Sequence, residues 1–158
     1  PGTIKFGSGG VGSSNHLAGG LVKKVTGIDI VHVPHKGAGP SIAGILAGEI
    51  QMNISSPAST VGFITSGKLR AIARTGTKRG KVLPDLPTVA ESGYPRFEAV
   101  QWYGLVVPGA TPSALVTRIR SAMLKGLHDP DLQASMERLG FEPRGMSGPE
   151  LAAGLKKE

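Results

Sequence analysis

The run Gly7-Ser8-Gly9-Gly10-Val11-Gly12-Ser13-Ser14-Asn15-His16 carries more potential chemistry than any other part of the chain. It follows a short apolar segment and opens a helical pattern. A strand, a glycine loop and a helix N-terminus in succession build an anion site. The first helical N–H groups lack intrahelical partners, and the helix dipole adds a partial positive charge there. Glycines let the backbone approach a guest that a Cβ would block. The expected guest is a carboxylate or a phosphate, cradled by unpaired amides around Gly9 and Gly12, with the hydroxyls of Ser8, Ser13 and Ser14 beside them.

Other readings of these residues are weaker. Gly7-x-Gly9-x-x-Gly12 has the spacing of a dinucleotide fingerprint, which makes a nucleotide-dependent enzyme the first rival. That fingerprint needs an acid at the far end of the second strand. The only acid in range, Asp29, stands at its start. No Gly-Lys-Ser/Thr follows the glycines, and there is no Gly-x-Ser-x-Gly elbow. Ser13 or Ser14 with His16 lacks an orienting acid, so no catalytic triad is expected and the chain does not read as an enzyme. His32 and His35 are three apart on a strand end and have no nearby carboxylates, which makes them poor metal ligands. His32 is expected to be packed, and His35 to lie at a loop rim. No cofactor or metal is implied.

Two further loops belong with the first. His35-Lys36-Gly37-Ala38-Gly39-Pro40 follows the second strand, and Ser55-Ser56-Pro57 follows the third. In a parallel sheet all three emerge at the carboxyl edge and outline a crevice for a polar ligand. The candidate ligand-binding residues are therefore Ser8, Gly9, Gly10, Gly12, Ser13, Ser14, His16, His35, Lys36, Gly37 and Ser55. Lys36 suits an anion and suits plain solvation equally.

The elements that must position these residues alternate, giving an α/β fold with a mainly parallel sheet. Strands are expected at Thr3–Phe6, Ile28–Val33, Ile50–Ser55 and Leu69–Arg74. Helices are expected at Ser14–Thr26, with Leu17, Leu21, Val22 and Val25 on its apolar face; at Pro40–Ala47, with Pro40 first; and at Pro57 to about Ser66. Thr75–Pro95 reads as a long surface excursion with one helical turn at Thr88–Ser92. Phe97–Val107 is strand-like. Thr111 is expected to cap a helix striped by Leu115, Val116, Ile119, Met123 and Leu127. A helix from Asp129-Pro130 to Leu139, a short strand at Glu142–Arg144 and a last helix at Pro149–Lys157 complete the pattern.

The 158 residues suffice for a real core, at 39% hydrophobic content. No apolar run reaches the ~18 to 20 residues of a membrane span. There are no cysteines, which excludes disulfides and thiolate metal sites. The net charge of +7 brings nucleic acid to mind, but the basic residues are scattered and aromatics make up only 4%. A diffuse positive field that attracts small organic anions fits instead. The chain begins at Pro1 without a visible leader and enters a buried-looking strand at once, so a fragment or processed product is expected.

In order along nearly the whole chain, Phe6–Gly19, Val31–Pro40, Gly67–Ala71, Leu83–Gly93 and Trp102–Pro108 resemble segments of the Bug family. These are the extracytoplasmic substrate-binding proteins of tripartite tricarboxylate transporters. The resemblance implies a periplasmic-binding-protein-like (type II) fold that closes two lobes on a small organic carboxylate. It implies transporter membrane subunits as partners, a periplasmic location, no nucleic-acid role and no membrane span. It makes residues 1–98 the second lobe, 99–107 an inter-lobe crossing and 108–158 the C-terminal part of the first lobe, the opening of that lobe lying outside this chain. Two departures border the crevice. The family usually has tyrosine where His35 stands, and an acidic, aromatic-containing segment where Asn53-Ile54-Ser55-Ser56-Pro57 stands.

Overall fold

The computed structural model describes residues 3–155. The expected extension of the last helix through Lys156 and Lys157 lies outside the described residues. The chain divides into two compact units, Pro1–Trp102 and Tyr103–Glu158.

In the first unit, β1 (Ile4–Ser8), α1 (Ser14–Thr26), β2 (Ile30–Pro34), α2 (Ala38–Leu46), β3 (Met52–Asn53) and α3 (Pro57–Thr65) alternate as expected of an α/β chain. The sheet order is β2-β1-β3, and both ladders are parallel. Successive β1 side chains face opposite ways. Phe6 packs where a Cβ on Gly19 of α1 would stand, and Ser41 of α2 and Ile50 fill the space that a Cβ on Gly7 would need, so the two helices cover opposite faces. Phe6, Ala18, Ile30, Ile42, Ile50 and Phe97 form the buried apolar core.

This packing decides which face of α1 is buried. The buried residues are Ala18 and Gly19. Leu21 and Val22 are half-buried, and Leu17 and Val25 are exposed. The expected four-residue stripe is thus only half used. The Phe6 ring takes the space that a larger helix residue would need, so small residues face the strand.

Three expected strands do not form. In Leu69–Arg74 only Arg74 pairs, with Thr88, and the amides of Arg70–Ala73 meet no backbone acceptor among the described residues. β propensity without a neighbouring strand leaves an extended segment, not a ladder. Phe97–Val107 and Glu142–Arg144 are likewise irregular. Helix α2 starts at Ala38, two residues before Pro40. Proline is tolerated there because the first-turn amides have no intrahelical acceptor.

The irregular stretch is held by a reciprocal cap. The Thr88 amide donates to Glu91 Oε2 at 2.8 Å, and the Glu91 amide donates to Thr88 Oγ1 at 3.0 Å. Arg79 Nε reaches both carboxylate oxygens at 3.0 and 3.1 Å. Ser92 N closes the expected single turn on Thr88 O at 3.1 Å. The Thr88 amide above all, with Arg79 adding, holds the Glu91 carboxyl below its ordinary value. A depressed carboxylate stabilises the fold above its unfolded pKa and loses that contribution as pH falls through the folded value. Glu91→Gln is therefore expected to lower stability at pH 7 and to change little near pH 3. Urea unfolding at the two pH values checks this, and an equal loss at both would remove the charge from the explanation.

The second unit contains α4 (Ser113–Leu127), α5 (Pro130–Arg138) and α6 (Gly148–Leu155). Pro112, not Thr111, holds the N-cap of α4, without a side-chain bond. Asp129 caps α5 by accepting from the amides of Asp131 and Leu132, each at 3.0 Å. Of the expected α4 stripe, Ile119 and Leu127 are half-buried and Leu115, Val116 and Met123 are exposed.

Candidate functional site

The parallel sheet brings the three expected loops to its carboxyl edge: Gly9–Ser13 after β1, His35–Gly37 after β2 and Ile54–Ser56 after β3. The chain leaves central β1 toward β2 and returns past it to β3, so the edge above β1 is a topological switch point. The loops are tied together. His35 N donates to Ser8 O and Gly37 N to Gly9 O, both at 3.1 Å. Asn15 Nδ2 bonds Ile54 O, joining the start of α1 to the loop after β3.

Within the first loop the amides divide in two. Gly10 N donates to Ser8 Oγ at 3.1 Å and Gly12 N to His16 Nδ1 at 3.1 Å. Ser13 N donates to Gly10 O at 3.2 Å. The amides of Gly9, Val11, Ser14 and Asn15 have no acceptor among the described residues. The expected cradle around Gly9 and Gly12 is therefore corrected at Gly12, whose amide is occupied. Gly9 keeps its open amide, and the others lie at Val11 and in the first turn of α1. Ser13 is the N-cap of α1, its Oγ accepting from His16 N at 3.3 Å and donating to Gly10 O at 2.7 Å.

All of α1, α2 and α3 direct their N-termini at this edge, and none has an acidic residue in its first turn. In the second unit α5 and α6 carry Asp131 and Glu150 there. No first-turn carboxylate of their own thus offsets the partial positive charge of these three helix ends. Lys36 is exposed at the same rim.

The sequence model of the tripartite tricarboxylate transporter family receptor matches residues 1–155. The chain belongs to that family. A relative from Pseudomonas sp. (strain P51), a UPF0065 protein in the tcbD-tcbE intergenic region, is 35% identical over 99% of this chain and 47% of its own length. An R. palustris protein solved with adipate superposes with a TM-score of 0.95 at 29% identity, covering 99% of this chain and 52% of that one. The periplasmic binding protein BugD gives a TM-score of 0.86 at 33% identity, covering 99% of this chain and 53% of that one. The chain thus spans about half the length of these relatives, and its fold is that of the periplasmic binding proteins. The family consists of transport receptors, not enzymes.

Ser8 Oγ lies 2.6 Å from His32 Nε2, the spacing of a nucleophile and its base. Ser8 is only 1% exposed, its hydroxyl also meets Gly10, and among the described residues no carboxylate orients the ring. Burial first, then the neighbouring imidazoles of His16 and His35, hold His32 below its ordinary pKa. Asp29, the sole acid available to a bound ribose, pairs with Lys23 at 3.4 Å ahead of β2, on the opposite edge from the loops. Gly7 is required by the close approach of Ser41 and Ile50, not by a pyrophosphate. An open, mainly apolar groove between Ala71-Ile72 and Leu83–Pro87 shares no residue with the edge loops, and the charged side chain in its lining, Asp85, would repel an anion.

Each candidate residue has a definite place. Ser8 is buried beneath the loop. The amides of Gly10, Gly12, Ser13 and Gly37 and the side chains of Ser13 and His16 are engaged within it. His35 Nδ1 lies 3.0 Å from Val33 O, its ring packed by Gly44 of α2. Ser55 Oγ bonds Asn53 Oδ1. Gly9, Ser14 and Lys36 keep groups open. Sequence reasoning missed Asn15 and the Val11 amide. The dipeptide Ser14-Asn15 at a helix start was the available signal for Asn15.

Proposed function

We propose that this chain supplies one lobe of the ligand cleft in a periplasmic solute-binding receptor, which takes a small organic carboxylate and presents it to membrane subunits of a tripartite transporter. Residues 1–98 would be the second lobe, 99–107 the crossing and 108–158 part of the first lobe. The observation that carries this reading is the convergence of three helix N-termini, none with an acid in its first turn, on a loop with open amides. A carboxylate accepts charge-assisted hydrogen bonds from such groups, each worth ~1.5 to 3 kcal/mol. Gly9 N and the first-turn amides of Ser14 and Asn15 are the donors, with Lys36 as the nearby cation. Ser8, Gly10, Gly12, Ser13, His16 and Gly37 hold the loop in shape, and His35 and Ser55 border it. Closure of a second lobe would complete the contacts. The R. palustris relative solved with adipate supports a dicarboxylate as the first probe.

Isothermal calorimetry on the full-length natural protein tests this with adipate and a panel of di- and tricarboxylates. Saturable heat with at least one acid is expected. Heat with sugars and none with any acid would remove the ligand class.

A further inference from the structure

We propose that His32 is the positioning residue of the ligand loop: clasped between the Ser8 hydroxyl and the His16 ring, it sets the open amides without touching the ligand, an assignment that rests on this loop being the carboxylate site. The contacts form a closed circuit. His32 Nε2 lies 2.6 Å from Ser8 Oγ. Ser8 Oγ meets both the amide and the carbonyl of Gly10 at 3.1 Å. Gly10 O accepts from Ser13 Oγ at 2.7 Å, and Ser13 Oγ accepts from His16 N at 3.3 Å. The His16 ring then stacks on His32, with centroids 4.1 Å apart and planes at 24°. Gly12 N enters the circuit through His16 Nδ1. The circuit thus fixes Gly10, Gly12 and Ser13, the residues interleaved with the open amides of Gly9, Val11 and Ser14.

The circuit also couples the loop to protons. His16 Nδ1 accepts from Gly12 N. The groups facing His32 are Phe6 at 4.9 Å and Ser8 from β1 and His16 from α1, while His35, just beyond the end of β2, acts on it electrostatically. No carboxylate meets it among the described residues. Burial and these neighbours favour its neutral form. A charged ring is better solvated by water than held in this stack, so acid draws it off Ser8 and His16. A histidine contacting an anionic ligand directly would act with the opposite sign, since its charging tightens binding.

The test uses the full-length natural protein, adipate as probe, and two variants, His32→Phe and His32→Gln. The first keeps a ring between Phe6 and His16 but loses the Ser8 bond. The second keeps a polar group for Ser8 but loses the stack. His32→Phe is expected to weaken adipate binding roughly tenfold at pH 7.5. Its ratio to wild type should shrink toward one as the pH falls below the ordinary imidazole range, because the wild type then loses the neutral ring too. The comparison at each pH cancels the titration of adipate itself. Amide NMR of the ligand-free protein gives a readout independent of binding: Gly10, Gly12 and Ser13 should shift in both variants and, in wild type, on acidification. Equal affinities at pH 7.5, a ratio flat with pH, or loop amides unmoved in a folded variant would each overturn the proposal. Wild type that takes up no acid would sink the carboxylate reading instead, and the ligand-free amide shifts would still decide the role of His32.

Discussion

Replacing Ser14 by aspartate is expected to destroy carboxylate binding while making the protein more stable. Ser14 is the first residue of α1, exposed, and next to the open amides of the loop. No acidic side chain stands in the first turn of α1, α2 or α3. A carboxylate at this position satisfies the helix end from within. Such a charge stabilises a helix by ~0.3 to 1 kcal/mol, which should raise the melting temperature by a few degrees. The same charge stands where the ligand carboxylate must sit. Two like charges about 4 Å apart repel by ~2 to 4 kcal/mol at the effective dielectric of a protein surface, a loss of binding between tens and a thousandfold. Ser14→Asn is the control, of similar size but uncharged, and should bind within a few-fold of wild type. Calorimetry with adipate and a thermal melt on each variant separate the two effects. Unchanged affinity in Ser14→Asp would place the ligand away from α1, whatever the melt shows.

The parts of this site that could be read from the sequence were those written in local chemistry. The helices expected at Ser14–Thr26 and from Pro57 form as α1 and α3, because caps and prolines act on their own neighbours. Alternation of strand and helix gave the parallel order, and with it the edge on which the three loops gather. What needed a partner distant in sequence was not legible. Leu69–Arg74 has strand composition, but a strand exists only beside another. The role of Ser8 depends on the β1–β2 register, which sets Phe6 opposite His32 and so brings His32 beneath the loop. Spacing along the chain reveals no such pairing. Gly7 was the least transparent residue. Its place in a glycine fingerprint suggested a ligand, whereas its missing side chain makes room for Ser41 and Ile50.

The same argument about room separates two adjacent glycines, and predicts opposite signs for one chemical change. Gly19 and Gly20 both lie inside α1, where alanine is the better helix former by ~0.5 to 1 kcal/mol. Gly20 is exposed, and a Cβ there would meet nothing within 4 Å. Gly20→Ala should therefore raise stability by about that propensity gain. Gly19 is buried, and a Cβ there would overlap the Phe6 ring. Phe6 is 3% exposed at the centre of the core, so its ring cannot swing into water. The helix must move away, or the ring must leave its rotamer, at a cost of ~1 to 3 kcal/mol. That outweighs the propensity gain for Gly19→Ala, and the larger Gly19→Val should lose more. Shifting α1 also moves His16 and Ser13, so Gly19→Ala should weaken adipate binding as well as lower the melting temperature, whereas Gly20→Ala leaves affinity unchanged. Denaturant unfolding of the two alanine variants side by side decides the matter. If both stabilise, α1 does not pack on β1 as closely as the structure has it, and the loop it carries would not be held in the described shape.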